Sequence, residues 1–167
     1  MGMAVKTRRG YRESMRLTSP IFENGGSIPP EHTCEGADRS PPLAFHDVPP
    51  SAKSLALIVD DPDAPDPRAP KRTWVHWVLA NLPPNAHSLS EGGGDFPGAT
   101  EGRNDWDRIG YNGPCPPIGR HRYFFKLYAL DTLLPTLEAP TKAELEGAME
   151  GHVLAQAELM GTYQKQK

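Results

Sequence analysis

Ser54-Leu55-Ala56-Leu57-Ile58-Val59-Asp60 opens the reading of this chain: an unbroken apolar run from Leu55 to Val59, closed by a carboxylate. Such a run is the pattern of a strand buried on both faces. Upstream, Leu43-Ala44-Phe45 reads as a short strand stopped by Pro49-Pro50, Glu31 to Pro42 as a long loop, and Arg16 to Phe22 as a first strand broken by Gly25-Gly26. Downstream, Asp60-Asp61-Pro62-Asp63-Ala64-Pro65-Asp66-Pro67 reads as a loop, because prolines cannot donate ladder hydrogen bonds. Thr73 to Leu82 is the next strand, closed by Pro83-Pro84. Period 2 puts Trp74, His76, Val78 and Ala80 on one face, and Val75, Trp77, Leu79 and Asn81 on the other. Glu91 to Gly119 is rich in Gly, Asn, Asp and Pro, an irregular loop of the length that usually exists for function. His121 to Asp131, with Tyr123, Phe124, Phe125 and Tyr128, returns to strand. At the end the period changes. Thr141 with Glu144 makes a capping box, and Leu145, Met149, Val153, Leu154 and Ala157 follow at helical spacing. A helix over Thr141 to Met160, stopped by Gly161, packs through Leu145, Met149 and Val153. The expected fold is mainly β: a two-sheet antiparallel β-sandwich with a C-terminal α-helix.

Composition agrees with one domain. The chain has 167 residues, 18 Lys+Arg against 21 Asp+Glu, and a net charge of −3. That balance supplies no electrostatic drive toward nucleic acid, and no apolar run approaches the ~20 residues of a membrane span. The 19 prolines and 16 glycines sit in short knots between aromatic and β-branched segments, as turn punctuation does. Residues 1–14 are polar after Lys6, Arg8 and Arg9, without the apolar core of a signal peptide. They read as a flexible leader or an appended stretch ahead of a single domain over 15–167, and the protein as cytoplasmic. Cys34 and Cys115 match no CxxC motif or disulfide framework, so free thiols are the expectation.

The strong catalytic signatures GxSxG, HExxH, GxxxxGK[ST] and GxGxxG are all missing. Polar residues at strand ends remain: Asp61 and Asp63 after the first apolar strand, His76 inside the second, and His121 where the long loop re-enters a strand. Each has an ordinary structural reading, as a hydrogen-bonded buried histidine or as turn chemistry before proline. Together they admit a metal site, a glycosidase carboxylate pair or an anion pocket. No His-x₃₋₅-His pair preorganises a metal, and Asp61 and Asp63, two positions apart on one Pro-locked turn, are poorly placed to flank a sugar, so both readings are weak. The anion pocket uses most of the sequence: imidazole N–H groups and the backbone amides of Gly113-Pro114-Cys115 surround a phosphate or similar anion.

At Asp61-Pro62-Asp63-Ala64-Pro65, Val75-His76-Trp77-Val78 and Gly113-Pro114-Cys115-Pro116-Pro117-Ile118-Gly119-Arg120-His121-Arg122-Tyr123, the chain resembles the phosphatidylethanolamine-binding protein family. It looks most like the prokaryotic, Raf kinase inhibitor-like branch. Thr33-Cys34-Glu35-Gly36, Ser40-Pro41-Pro42-Leu43, Asn104-Asp105-Trp106, Gly151-His152 and Gly161-Thr162-Tyr163 extend the likeness over about Met15 to Tyr163. The resemblance implies a sandwich with a small anion-binding cavity at one end and no bound metal or cofactor. It implies a cavity lined by Asp61, His76, His121, Tyr123 and the Gly113 to Cys115 backbone, with Asp63, Pro65 and Trp74 at the rim. Animal members carry Gly where Cys115 stands here and arrange the C-terminal helix differently.

The expected function is a non-enzymatic binding module, monomer or homodimer, holding a phosphate-bearing or other anionic small ligand, with a protein partner such as a kinase as a candidate. Asp61 behind one imidazole would raise its pKa, so that His76 and His121 together hold the anion and affinity weakens as pH rises through roughly 6.5 to 8. The alternative is a hydrolase or transferase using His76 or His121 as general acid/base, with Cys115 as its one candidate nucleophile.

Overall fold

The structure is a computed structural model, described here for residues 15–93, 96–135 and 137–166. The leader expected at 1–14 lies outside these residues. Two antiparallel sheets face each other. One joins β1 (Arg16–Thr18), β2 (Leu43–His46) and β5 (Ser88–Leu89) in the order β1-β2-β5. The other joins β6 (Thr100–Glu101), β4 (Arg72–Leu82), β3 (Ser54–Ala64), β7 (Arg120–Leu130) and β8 (Val153–Gln164) in the order β6-β4-β3-β7-β8. Every pairing between these strands is antiparallel, so the sandwich expected from the sequence is the fold found.

The apolar run Leu55 to Val59 occupies central strand β3 and is buried throughout. Leu55, Leu57 and Val59 face the small sheet with Trp77, Leu79, Phe125 and Leu127. Ala56 and Ile58 face outward into a second cluster with Val78, Ala80, Leu145 and Met149. Helix α1 (Lys142–Met149) covers that outer face, and its Lys142 Nζ reaches the buried Asp60 carboxylate at 2.7 Å.

Several expectations are corrected. The first strand stops at Thr18 rather than Phe22, as Pro20 approaches with no N–H for a ladder. The stretch after Asp60 is not wholly loop, since β3 runs on to Ala64. Its register against β4 slips between Asp61↔Trp74 and Ala64↔Arg72, and Pro62 sits inside that slip, where no ladder N–H is required. The strict alternation of β4 also fails. Val59 pairs with Trp77 and Asp60 with Val75, leaving His76 as the extra residue of a bulge. Val78 and Ala80 therefore face α1 while Trp74, His76 and Trp77 all serve the inner side. Finally, the helix covers only Lys142–Met149. Its Thr141/Glu144 capping box is present, but Gly151 (φ +84°) turns the chain back and Val153 begins β8, which pairs along the whole length of β7.

The cysteines are not thiols. Cys34 and Cys115 form a disulfide, S–S 2.06 Å, bridging 81 positions of sequence. The long irregular stretches Glu31 to Pro42 and Glu91 to Gly119 meet there, an approach that no local spacing records. The second stretch is not bare loop either, as it carries β6 and an Arg103–Ile109 bridge. Among the described residues no helix is long and apolar enough to cross a membrane.

Candidate functional site

Antiparallel pairing places the end of β3 and the beginnings of β4 and β7 at one edge of the large sheet. Asp61, Trp74, His76, His121 and Tyr123 come from those three strand ends and converge on one pocket of about 300 Å³. Cys115, Pro116 and Pro117 close it from the disulfide-anchored loop, with Ala64 and Pro65 opposite. Prolines and aromatic rings make most of this wall, so polar atoms inside it are few and each counts.

Asp61 and His121 form the buried pair at its base. Asp61 Oδ1 accepts the Asp63 N–H at 2.7 Å, and Oδ2 meets His121 Nδ1 at 2.6 Å. Burial raises the Asp61 carboxyl above the ordinary carboxylate range, opposed by the hydrogen bonds from His121 and the Asp63 amide. His121 Nε2 donates to the carbonyls of Ile118 (2.9 Å) and Pro65 (3.1 Å). Both nitrogens of His121 are thus engaged by the protein itself. Its ring stacks beside Tyr123 at 6.3 Å and forms wall rather than an open donor.

His76 is disposed differently. Its Nδ1 donates to the carbonyl of Asn112 at 2.6 Å, which fixes the tautomer and leaves a lone pair on Nε2. Burial pushes its pKa down to about 4, so the ring is neutral near pH 7. It stands edge-on between Trp106 (5.0 Å) and Tyr123 (5.2 Å). The Trp74 indole N–H is buried without a hydrogen-bond partner among the described residues. Arg72 covers the outer face of that indole at 4.5 Å. Desolvation holds the Tyr123 phenol far above its usual pKa, so it is a neutral hydroxyl.

Three expected residues do not line the pocket. Asp63 is held by Arg122, through Nη2 at 2.8 Å and Nε at 3.0 Å, which lowers its carboxyl below the usual range. Gly113 gives its N–H to Asp38 Oδ1 at 2.9 Å, and any Cβ there would stand 2.2 Å from the His32 carbonyl. Pro114 has no N–H, and its carbonyl accepts from Cys34 at 3.0 Å. The expected anion nest of backbone amides is therefore not formed at Gly113 and Pro114; these residues lock the loop in place behind the disulfide.

Four pocket residues lie outside the expected set, Ala64, Trp106, Pro116 and Pro117, and Trp106 brings the largest side chain. Trp106 is held by its neighbours: Asn104 Oδ1 accepts the Trp106 N–H at 2.9 Å, and Asp105 Oδ2 accepts the Val75 N–H at 2.7 Å and Arg72 Nη2 at 2.9 Å. The string Asn104-Asp105-Trp106, an aromatic behind two turn-forming carboxyl or amide residues, was the available signal.

With the geometry in view, comparison with known proteins is consistent. A family model described as phosphatidylethanolamine-binding protein matches residues 18–164. A UPF0098 protein of Chlamydia muridarum is 51% identical over 151 residues, covering 90% of this chain and 99% of that protein. Another, of Methanothermobacter thermautotrophicus, is 48% identical over 155 residues with coverage of 90% and 99%. The crystal structure of the phosphatidylethanolamine-binding protein homologue CT736 of Chlamydia trachomatis superposes with a TM-score of 0.85 at 49% identity, covering 91% of this chain and 98% of that one. E. coli YbcL, described as a member of the mammalian family, gives 0.82 at 31% identity, with coverage of 92% and 100%.

Proposed function

This chain belongs to the phosphatidylethanolamine-binding protein family, and from that premise we propose that it is a non-enzymatic module whose strand-end pocket holds the anionic, phosphate-type group of a small ligand. One observation carries the reading. Trp74 Nε1–H, the Tyr123 hydroxyl and His76 Nε2 belong to one pocket and have no hydrogen-bond partner among the described residues. Two are neutral donors, and the third becomes a donor once it takes a proton. An arriving anion supplies the field that makes protonation of His76 favourable, so the imidazolium expected from the sequence forms with the ligand rather than before it. Asp61 and His121 act behind this trio as a rigid floor. Regulation of a protein partner such as a kinase would be a second task, for which no residue of this pocket argues.

The enzyme alternative loses its nucleophile, because the Cys115 sulfur is bonded to Cys34. The cytoplasmic expectation came from the polar leader, and the Cys34–Cys115 disulfide speaks for an oxidising compartment instead; thiol trapping in fractionated cells tests the placement directly. For the binding reading, titration calorimetry with inorganic phosphate and phosphorylethanolamine is the test. Trp74→Phe and Tyr123→Phe should each weaken binding about tenfold, the loss of one hydrogen bond to a charged acceptor. Wild-type affinity in both variants, or phosphoester turnover abolished by His76→Ala, overturns it.

A further inference from the structure

His32 does not line the pocket, and nothing in the binding role uses its side chain. Its side chain is 2% exposed. Its Nδ1 donates to the Arg39 carbonyl at 2.9 Å, which assigns the proton to Nδ1 and leaves the Nε2 lone pair. That Nε2 has no hydrogen-bond partner among the described residues. Its neighbours are carboxylates instead: Glu31 Oε2 at 3.9 Å and Glu91, the three candidate ligand atoms lying within 4.8 Å of one another. Three groups that can each offer an electron pair to a cation converge there. A buried imidazole held by a backbone carbonyl at one nitrogen, with the other aimed at carboxylates, is the outer-shell arrangement of a metal-bound histidine.

We propose that Glu31, His32 and Glu91 form a binding site for a divalent transition-metal ion of the zinc class. The imidazole argues for this class over magnesium or calcium, which take oxygen ligands. Ligand distances of about 2.0–2.2 Å bring donor atoms to within roughly 3–3.5 Å of each other. The required closure falls on Glu31 and Glu91, whose side chains are 61% and 38% exposed and free to change rotamer, while the buried imidazole is already set. Arg39 Nη1 lies 3.6 Å from Glu91 Oε2 and competes with the ion for that carboxylate. Three protein ligands leave a position for water. The ion would clip the turn at Pro30–His32 to the segment following β5, where Gly92 N–H already donates to the Ser40 carbonyl.

The test is calorimetric titration of Zn²⁺ into untagged, EDTA-treated, disulfide-intact protein, with ring ¹H–¹⁵N spectra to locate the ion. One equivalent should bind and shift the His32 Nε2 resonance. Glu91→Gln should weaken it about tenfold or more, and His32→Gln should remove it. Arg39→Gln, which keeps the backbone carbonyl on His32 but frees Glu91, should tighten it severalfold. Should His32→Gln fail to fold, the two surface variants still decide. An isotherm unchanged in Glu91→Gln and Arg39→Gln, or zinc shifts confined to His46, His87 or His152, overturns the site.

Discussion

At the scale of single residues, the two pocket histidines have opposite roles despite similar burial. His76 is desolvated and single-partnered, with a pKa near 4 when folded against about 6.5 when unfolded. Between those values the unfolded chain binds more protons, so the His76 contribution is fully present above about pH 6.5 and is lost as pH falls toward 4, about 3 kcal/mol in all. Denaturant unfolding from pH 7 to 4 should show this slope, reduced in His76→Gln. Phosphate affinity should run the other way, rising as pH falls from 8 to 5, with proton uptake visible as a buffer-dependent binding enthalpy. A flat affinity would remove His76 from the ligand's contacts. His121, whose nitrogens already face Asp61, Pro65 and Ile118, should act through stability. His121→Ala leaves the buried Asp61 carboxyl uncompensated and should cost about 3–5 kcal/mol, with Asp61→Asn/His121→Ala recovering part of it. The identity of these residues was legible as polar positions at strand ends. Their division of labour was not, because it depends on which carbonyl each ring nitrogen meets, and those carbonyls come from residues 65, 112 and 118 in loops without periodicity.

At the scale of elements, the central strands β3, β4 and β7 were read as strands, while β8 and the boundaries set by competition were not. The stretch after Met149 carries both periods: Val153, Leu154 and Ala157 suit a helix, while Ala155, Ala157, Leu159, Gly161 and Tyr163 alternate as a strand. β8 wins because β7 offers its backbone a continuous antiparallel partner from Arg120↔Gln164 to Leu130↔Val153. Gly161, expected as a helix stop, is instead the place where Ile28 and Phe22 lie over the sheet: a Cβ there would approach Ile28 Cγ1 to 2.6 Å. Gly161→Ala should therefore destabilise by about 1–3 kcal/mol in chemical denaturation, an overpacking cost. The short helix still earns a core contribution through fully buried Leu145, and Leu145→Ala should cost about 2–5 kcal/mol; a loss under ~0.5 kcal/mol would make α1 peripheral.

For the whole molecule, the disulfide is the long-range tie, joining the two irregular stretches that build and back the pocket wall. Loop-closure arguments for a span of 81 residues put its contribution at about 2–4 kcal/mol or slightly more. Cys34→Ser/Cys115→Ser should unfold at correspondingly lower urea and bind phosphate more weakly, since the Cys115 to Pro117 wall then loses its covalent tie to residue 34; equal affinity would show the loop to be set without the bridge. The sandwich class and its central strands were legible in the sequence, because apolar runs and alternation report burial directly. The convergence of Asp61, His76, His121 and Tyr123 was readable through motif resemblance. The Cys34–Cys115 bond, the bulge that turns His76 inward, the end of α1 at Met149 and the engagement of both His121 nitrogens all required the folded chain. Each is an agreement between segments tens of residues apart, and a local period carries no information about which distant backbone will arrive to accept a proton, close a ladder or meet a sulfur.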